Sequence, residues 1–584
     1  MGRMTIFDWL IVVGLNGAII VYGLLKSRET TSSADWFLAG RSLPWWVVGF
    51  SLWATAIDSS DLVADSGGTY QIGMQYFVTN WVGTVVGWFV AAHFIVLPMY
   101  RAGMFTNAEY LEARFGPTTR IISAFVQVQY RTLILGIIAT TIYLTLSVVC
   151  GWGPTATWTT VVAIAVLATI YTAMGGLKSV AITDALQSIV MIVASIILFV
   201  IVWNQVDGFA GIEQRLNQQQ VGLADSLLHV GHDKVDVKDV QGQPLQDVQR
   251  ELLFGGTWDA DNKRITRTTP AWLACLGFFI IGLSYSIVNH TQSMRLFGAR
   301  SEWDLKMSAV VAGTILIVTT FTNLMIGIMG RALYDTLPAD VAVYGTNDVI
   351  YPLLVRELSG PILMGLVVAG ILAASFSTYD SIGSTLSALL VRDVYARLFV
   401  PDRDDRHYLL VGRWLTPVII LGSFGYVPFL LEAGMLNFYI DLVGAFVAPL
   451  LTIYLMGTFS RVHRRSGAIG LGAGVAYGTL RLFAPVIAET FGVAVLPAVM
   501  ADGLAGWVFC VLITAVTMIA VSLVIGWNPR GELLHQETHG WLQSSQRQIR
   551  EISGDDQHTG NAWPTVLGLA VVLVGVVLSF VIFW

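Results

Sequence analysis

Charge is scarce in this chain: Asp, Glu, Lys and Arg make up only 12% of its 584 residues, about half the share usual in soluble domains. A water-exposed surface of ordinary size cannot be built from so little. Cysteine is nearly absent. Cys150, Cys275 and Cys510 lie in or beside apolar segments without metal-ligand spacing, which argues against a disulfide framework and leaves them as packing residues. No basic tail or face exists to neutralise phosphates, so nucleic acid is not expected as a partner, and nothing in the sequence points to a protein partner. No polar segment carries a nucleophile–base pattern, so the chain does not read as an enzyme.

Apolar residues are what it has, at 55% of the total and a mean hydropathy of +0.67. Repeated apolar runs of about 20 residues read as membrane-crossing helices; an outer-membrane barrel would show alternating segments of about 10. The expected class is an all-α polytopic membrane protein with fourteen transmembrane helices, over 6–26, 44–67, 74–99, 118–150, 157–174, 180–203, 271–296, 307–333, 361–395, 407–430, 436–458, 466–486, 502–526 and 563–583. The first run is too long for a signal peptide core and lacks a small-residue cleavage site, so it reads as retained.

The connections alternate in basic residues. Odd-numbered ones carry Arg28 and Arg41, then Arg101 and Arg114, then Lys178, then Arg295, Arg300 and Lys306, and so on to Arg547 and Arg550, while the short even-numbered ones carry none. The positive-inside rule makes the basic set cytoplasmic and puts both termini outside, in a plasma (inner) membrane. The long polar segment 204–270 falls outside, and long loops are exempt from that rule. The loop 527–562 reads as cytoplasmic, either amphipathic or regulatory.

Setting aside 1–26 and the last three helices (459–584) as peripheral leaves ten, in two five-helix units within 27–203 and 271–458. An odd number per unit inverts one relative to the other, the geometry of transporters with a midplane site at the repeat interface. Three stretches carry polar chemistry inside the membrane. The first core helix turns from apolar to Thr55, Asp58, Ser59, Ser60 and Asp61 at mid-depth, a run that competes for the helix's own backbone hydrogen bonds and suggests a break lining a cavity. The eighth places Ser377, Asp380 and Ser381 on one face, hard oxygens suited to a small hard cation. Between them, Tyr171 to Gln187 (YTAMGGLKSVAITDALQ) joins two apolar runs at a glycine turn and carries Asp184 inside the second. An intramembrane carboxylate of this kind faces a partner or an ion path.

This last string, with Phe37 to Trp46 (FLAGRSLPWW), resembles the signature of the sodium:solute symporter family, in its sodium/glucose-cotransporter-like branch, over roughly 36–460. The resemblance implies a LeuT-type inverted repeat and Na+ as the coupling ion, one or two per cycle. It implies a first sodium site made of carbonyls at Ala54, Ile57 and Ala374 with hydroxyls of Ser377 and Thr378, and a second cation site of Asp184, Asp380 and Ser381. The solute positions it implies are Asp61, Asn80, Leu135, Gly282 and Asp441, polar at three and apolar at two. Asp58 and Arg131 stand nearby: Arg131 either clamps a substrate carboxylate or neutralises Asp58 or Asp61. Tyr285 falls where sugar-carrying relatives place an aromatic gate.

The expected function is sodium-coupled import of a small polar organic solute, a sugar or polyol first. An amino acid, amine or organic carboxylate is the alternative, and a non-transporting sensor on the same fold a further one. An intramembrane aspartyl protease, suggested by Tyr379-Asp380, lacks the second carboxylate in a Gly-x-Gly-Asp context within any span.

Overall fold

In the computed structural model the described residues are all except 1–3, 28–38, 75–76, 175–176, 221, 230–257, 260–263, 266–270, 402, 434, 529–560 and 584. The glycine turn at 175–176, nearly all of the loop 527–562 and most of the segment 204–270 therefore lie outside the described residues.

Helices dominate. In chain order they are α1 (Ile6–Ser27), α2 (Trp45–Ala56), α3 (Ser59–Ile72), α4 (Phe77–Val90), α5 (Asn107–Phe115), α6 (Pro117–Cys150), α7 (Pro154–Met174), α8 (Leu177–Val206), α9 (Gly208–Gln219) and α10 (Leu223–Leu228). There follow α11 (Ala271–Val288), α12 (His290–Phe297), α13 (Glu302–Leu333), α14 (Ile350–Leu358), α15 (Leu363–Leu389), α16 (Asp405–Gly422), α17 (Met435–Phe459), α18 (Ser466–Phe491), α19 (Gly503–Ile525) and α20 (Trp563–Val577). A two-residue antiparallel pair, with Trp258 opposite Ile265, is the one sheet among the described residues.

By length and apolar composition 11 helices suffice to cross a membrane, or 12 when α11 and α12 are taken as one bent span. The expected fourteen is not reached on that measure, because α2 and α3 are short halves of 12 and 14 residues and α7 has a shorter apolar part, Pro154–Ile170. Large apolar side chains of α1, α8, α16 and α20 face outward, Phe7, Ile189, Trp414 and Leu573 among them. Such a surface suits lipid, where every backbone polar group must be paired within the helix.

Two helices are interrupted, and they are the first of each five-helix unit. Between α2 and α3, Ile57 and Asp58 have extended backbone. Between α11 and α12, Asn289 leaves the helical region and its side chain caps Thr291 N; the halves bend by 44°. The sequence reading expected the first break and drew 271–296 as one helix.

Small residues bring the broken helices close to their neighbours. On α4, a Cβ at Gly83 would lie 2.2 Å from the Phe279 carbonyl oxygen, and on α11 one at Gly282 would lie 2.3 Å from that of Asn80. The Ser286 hydroxyl donates across the same seam to Thr84 O at 2.8 Å. On the other side Gly327 of α13 meets Ser66 and Thr69 of α3, and Thr69 Oγ1 donates to Leu324 O at 2.9 Å. The first, second, sixth and seventh core helices thus pack as one bundle. The terminal α1 is fixed to the core by Asp8, whose carboxylate accepts from Ile362 N at 2.8 Å and Gly365 N at 2.9 Å at the start of α15.

Candidate functional site

The interruption of the first core helix is held open by its own side chains. Asp58 caps α3 and Asp61, three residues on, reaches back to it, a reciprocal capping box. Asp61 Oδ2 accepts from Asp58 N at 2.7 Å, and Asp58 Oδ1 accepts from Ser60 N at 2.7 Å; the Asp58 side chain also takes the N–H of Asp61. In a continuous helix those three N–H groups would bond the carbonyls of Ala54, Ala56 and Ile57. The box diverts them, so three carbonyls lose their helical partners at mid-helix.

The freed Ala54 carbonyl meets α15, and Ala56 and Ile57 line an open cavity. Ser377 Oγ of α15 lies 3.2 Å from Ala54 O, Thr378 Oγ1 donates to Ala374 O within the same helix at 3.1 Å, and Ser375 Oγ donates to Ser59 Oγ at 2.9 Å. Tyr285 of α11 donates to Thr55 O at 2.5 Å, tying the sixth core helix to the last turn before the break. Ala54, Ile57, Ala374, Ser377 and Thr378 are all buried. A set of neutral oxygens, three carbonyls and two hydroxyls, suits a hard monovalent cation.

Asp184 lies beside this set with a different partner. Its Oδ2 accepts from Arg295 Nη2 at 2.9 Å and from Ser51 Oγ at 2.7 Å, and its Oδ1 from Ser377 Oγ at 2.7 Å. Arg295 Nη2 also donates to Ser381 Oγ. Both charged side chains are fully buried. At Asp184 and Ser381, where the resemblance implied a second cation, the structure places the Arg295 guanidinium. Arg295 is likewise no loop residue, as the count of basic connections had it. Asp380, on the same stretch of α15, is buried.

Beside the break is an open cavity lined by residues of α3, α4, α6, α11, α13 and α17. Of the expected solute residues Asp58, Asp61, Asn80 and Tyr285 line it. Arg131 and Asp441 do not. Arg131 is buried with its guanidinium carbon 5.3 Å from the Tyr130 ring centre and 5.8 Å from that of Tyr285. Asp441 pairs with Arg481 of α18 at 2.7 Å, half-exposed, and Tyr439 and Ile440 line the cavity from its helix instead. Gly282 carries no side chain because α4 leaves no room for one.

The sequence reading missed Asp65, Trp81, Thr320 and Tyr439, all of which line the cavity. Helical spacing carried a signal for the first, four residues after Asp61 and so on the same face. Outside the membrane-spanning helices, Asp348 adds negative charge near Asp65. Burial pushes its carboxyl up to about 6, against a hydrogen bond from Thr346.

A profile of the sodium:solute symporter family matches residues 36–474. The chain belongs to that family. This symporter is 28% identical over 490 residues to sodium/glucose cotransporter 4 of Danio rerio, covering 80% of this chain and 69% of that one. It is 28% identical over 555 residues to the Homo sapiens sodium/glucose cotransporter 4, covering 89% and 75%. Among solved structures it is similar to a Na+-coupled sialic acid symporter in a substrate-bound, outward-open state, with a TM-score of 0.68 and 19% identity over 88% of this chain and 98% of that one. That likeness shows the fold. The protein is a multi-pass, sodium-coupled membrane transporter, not an enzyme.

Proposed function

We propose that this symporter imports a small polar organic solute, a sugar or polyol in the first place, with one Na+ held at Ala54 O, Ile57 O, Ala374 O and the hydroxyls of Ser377 and Thr378. The observation that carries this reading is the diversion of the Asp58, Ser60 and Asp61 N–H groups, which frees carbonyls opposite α15. Arg295 already balances Asp184, which favours one sodium over two. The solute lies in the cavity beside the break, among Asp58, Asp61, Asn80 and Tyr285, and the relatives named as sodium/glucose cotransporters support a polyhydroxylated molecule.

Sodium ties the bundle, through α2 and α3, to α15. Binding therefore favours the conformation in which the two are in contact, and the solute meets a completed cavity. Inward movement of one charge is driven by about 2.3 kcal/mol per 100 mV of membrane potential besides the concentration gradient. The basic connections support an arrangement with both termini outside the plasma (inner) membrane.

Proteoliposomes containing the purified chain test this. An inward sodium gradient should drive transient accumulation of a labelled sugar or polyol above its equilibrium level, abolished when potassium replaces sodium. Sodium-dependent binding without accumulation would make the chain a sensor, and accumulation indifferent to sodium would overturn the ion assignment.

A further inference from the structure

The cavity holds more negative charge than a neutral sugar needs. Asp58, Asp61 and Asp65 occupy successive turns on one face of α3 and all three line it. Asp58 and one oxygen of Asp61 are used in the capping box. The Asp65 carboxylate accepts no hydrogen bond among the described residues; it is only partly buried and points at the open space. Asp348 behind it adds to the negative field. On the positive side stand Arg131, next to Tyr285 and within electrostatic reach of Asp58 and Asp61, and the sodium of the proposed function. Two positive charges against the four carboxylates Asp58, Asp61, Asp65 and Asp348 leave the site net negative at membrane depth, where such charge demands a partner.

Two further groups point to a ligand rather than to a structural role. Thr320 of α13 and Trp81 of α4 both line the cavity, both are more than nine-tenths buried, and among the described residues neither the Thr320 hydroxyl nor the Trp81 indole N–H has a hydrogen-bond partner. Buried polar groups are almost always satisfied, so both are placed for a ligand's own polar atoms. The faces of Trp81, Tyr285 and Tyr439 in the same wall tolerate a cation well.

We infer that the solute of this cavity carries a protonated amine, with Asp65 as its counter-ion and the Thr320 hydroxyl and Trp81 N–H meeting its oxygens. The chemical class is an amino sugar or amino polyol. This rests on the proposed sodium-driven import through the same cavity and narrows its substrate. A neutral hexose can donate its hydroxyls to Asp65 but leaves the charge unpaired; an ammonium group supplies both a donor and the opposite charge.

The test uses matched pairs differing only in the amine: glucosamine against glucose, and 1-amino-1-deoxysorbitol against sorbitol. Each is offered to the full-length protein at pH 7 with and without sodium, by thermal shift in detergent and by uptake in proteoliposomes. The amines should stabilise and accumulate in sodium with apparent affinities at least about tenfold better than their neutral partners. D65N should lose that preference while keeping its sodium-dependent thermal shift, and D65E should regain part of it. Sodium-driven accumulation of the neutral members with equal or better affinity, a preference unchanged in D65N, or no response to either amine overturns the inference. The first two of these leave sodium-coupled import standing; absence of sodium-driven accumulation for all four solutes removes that reading as well.

Discussion

Arg295→Gln should destabilise the protein by about 3–5 kcal/mol, the scale for removing one member of a buried ion pair. Both side chains of the Arg295–Asp184 pair are fully buried, and Arg295 also donates to Ser51 Oγ and to Thr291 O, at 2.9 Å each. Glutamine removes the charge and leaves the Asp184 carboxylate to Ser51, Ser377 and Ser381 alone. Thermal denaturation in detergent should show a clearly lowered midpoint, and the double variant R295Q/D184N should recover much of it, because two neutral polar groups can share the space. A single variant as stable as the parent in sodium-free buffer would contradict the pairing. If the midpoint fell but rose again specifically with sodium, a cation would be replacing the guanidinium, and the site would prove convertible to a second sodium site.

Asp61→Ala should raise the sodium concentration for half-maximal stabilisation about tenfold or more, a cost of roughly 1.4 kcal/mol in binding, although Asp61 is not one of the proposed ligands. Its Oδ2 is the acceptor that draws Asp58 N out of the helix. Without it, that N–H can return to Ala54 O and mend the turn, and the carbonyl is withdrawn from the ion. Asp61 also lines the cavity, so the measurement is made without solute, as a sodium titration of thermal stability. Asp61→Asn keeps an acceptor at the same place and should restore most of the response. Equal sodium responses in D61A and the parent would mean the break does not depend on the box.

The same box explains why the first interruption was legible in the sequence. Asp58 and Asp61 stand three apart in a run of Ser and Thr, and each can bond the other's backbone. The second interruption was not. A lone Asn289 after the eighteen mostly apolar residues of α11, followed by His290, Thr291 and Gln292, reads as the polar end of one helix; its capping role depends on local backbone geometry. Where a side chain points was legible only when local spacing decided it. Asp65 follows from Asp61 by one turn. Asp441 is turned away from the cavity by Arg481, 40 residues on, and Asp184 is matched by Arg295, 111 residues on. Partners so distant in sequence leave no trace in a single chain. The lost polar position at Gly282 has a plain cause too, since any side chain there would collide with the backbone of α4.

The most direct test of the whole account is equilibrium binding of 22Na+ to the purified protein in detergent, without solute, in the parent and in S377A and T378A. Saturable binding of one ion per chain is expected in the parent, weakened by about tenfold or more in each variant; the thermal midpoint in sodium-free buffer should be little changed in T378A and lowered in S377A, which also loses the Ser377 bond to Asp184. Unaltered affinity in both variants would contradict it, because sodium would then be held somewhere other than between the broken first core helix and α15.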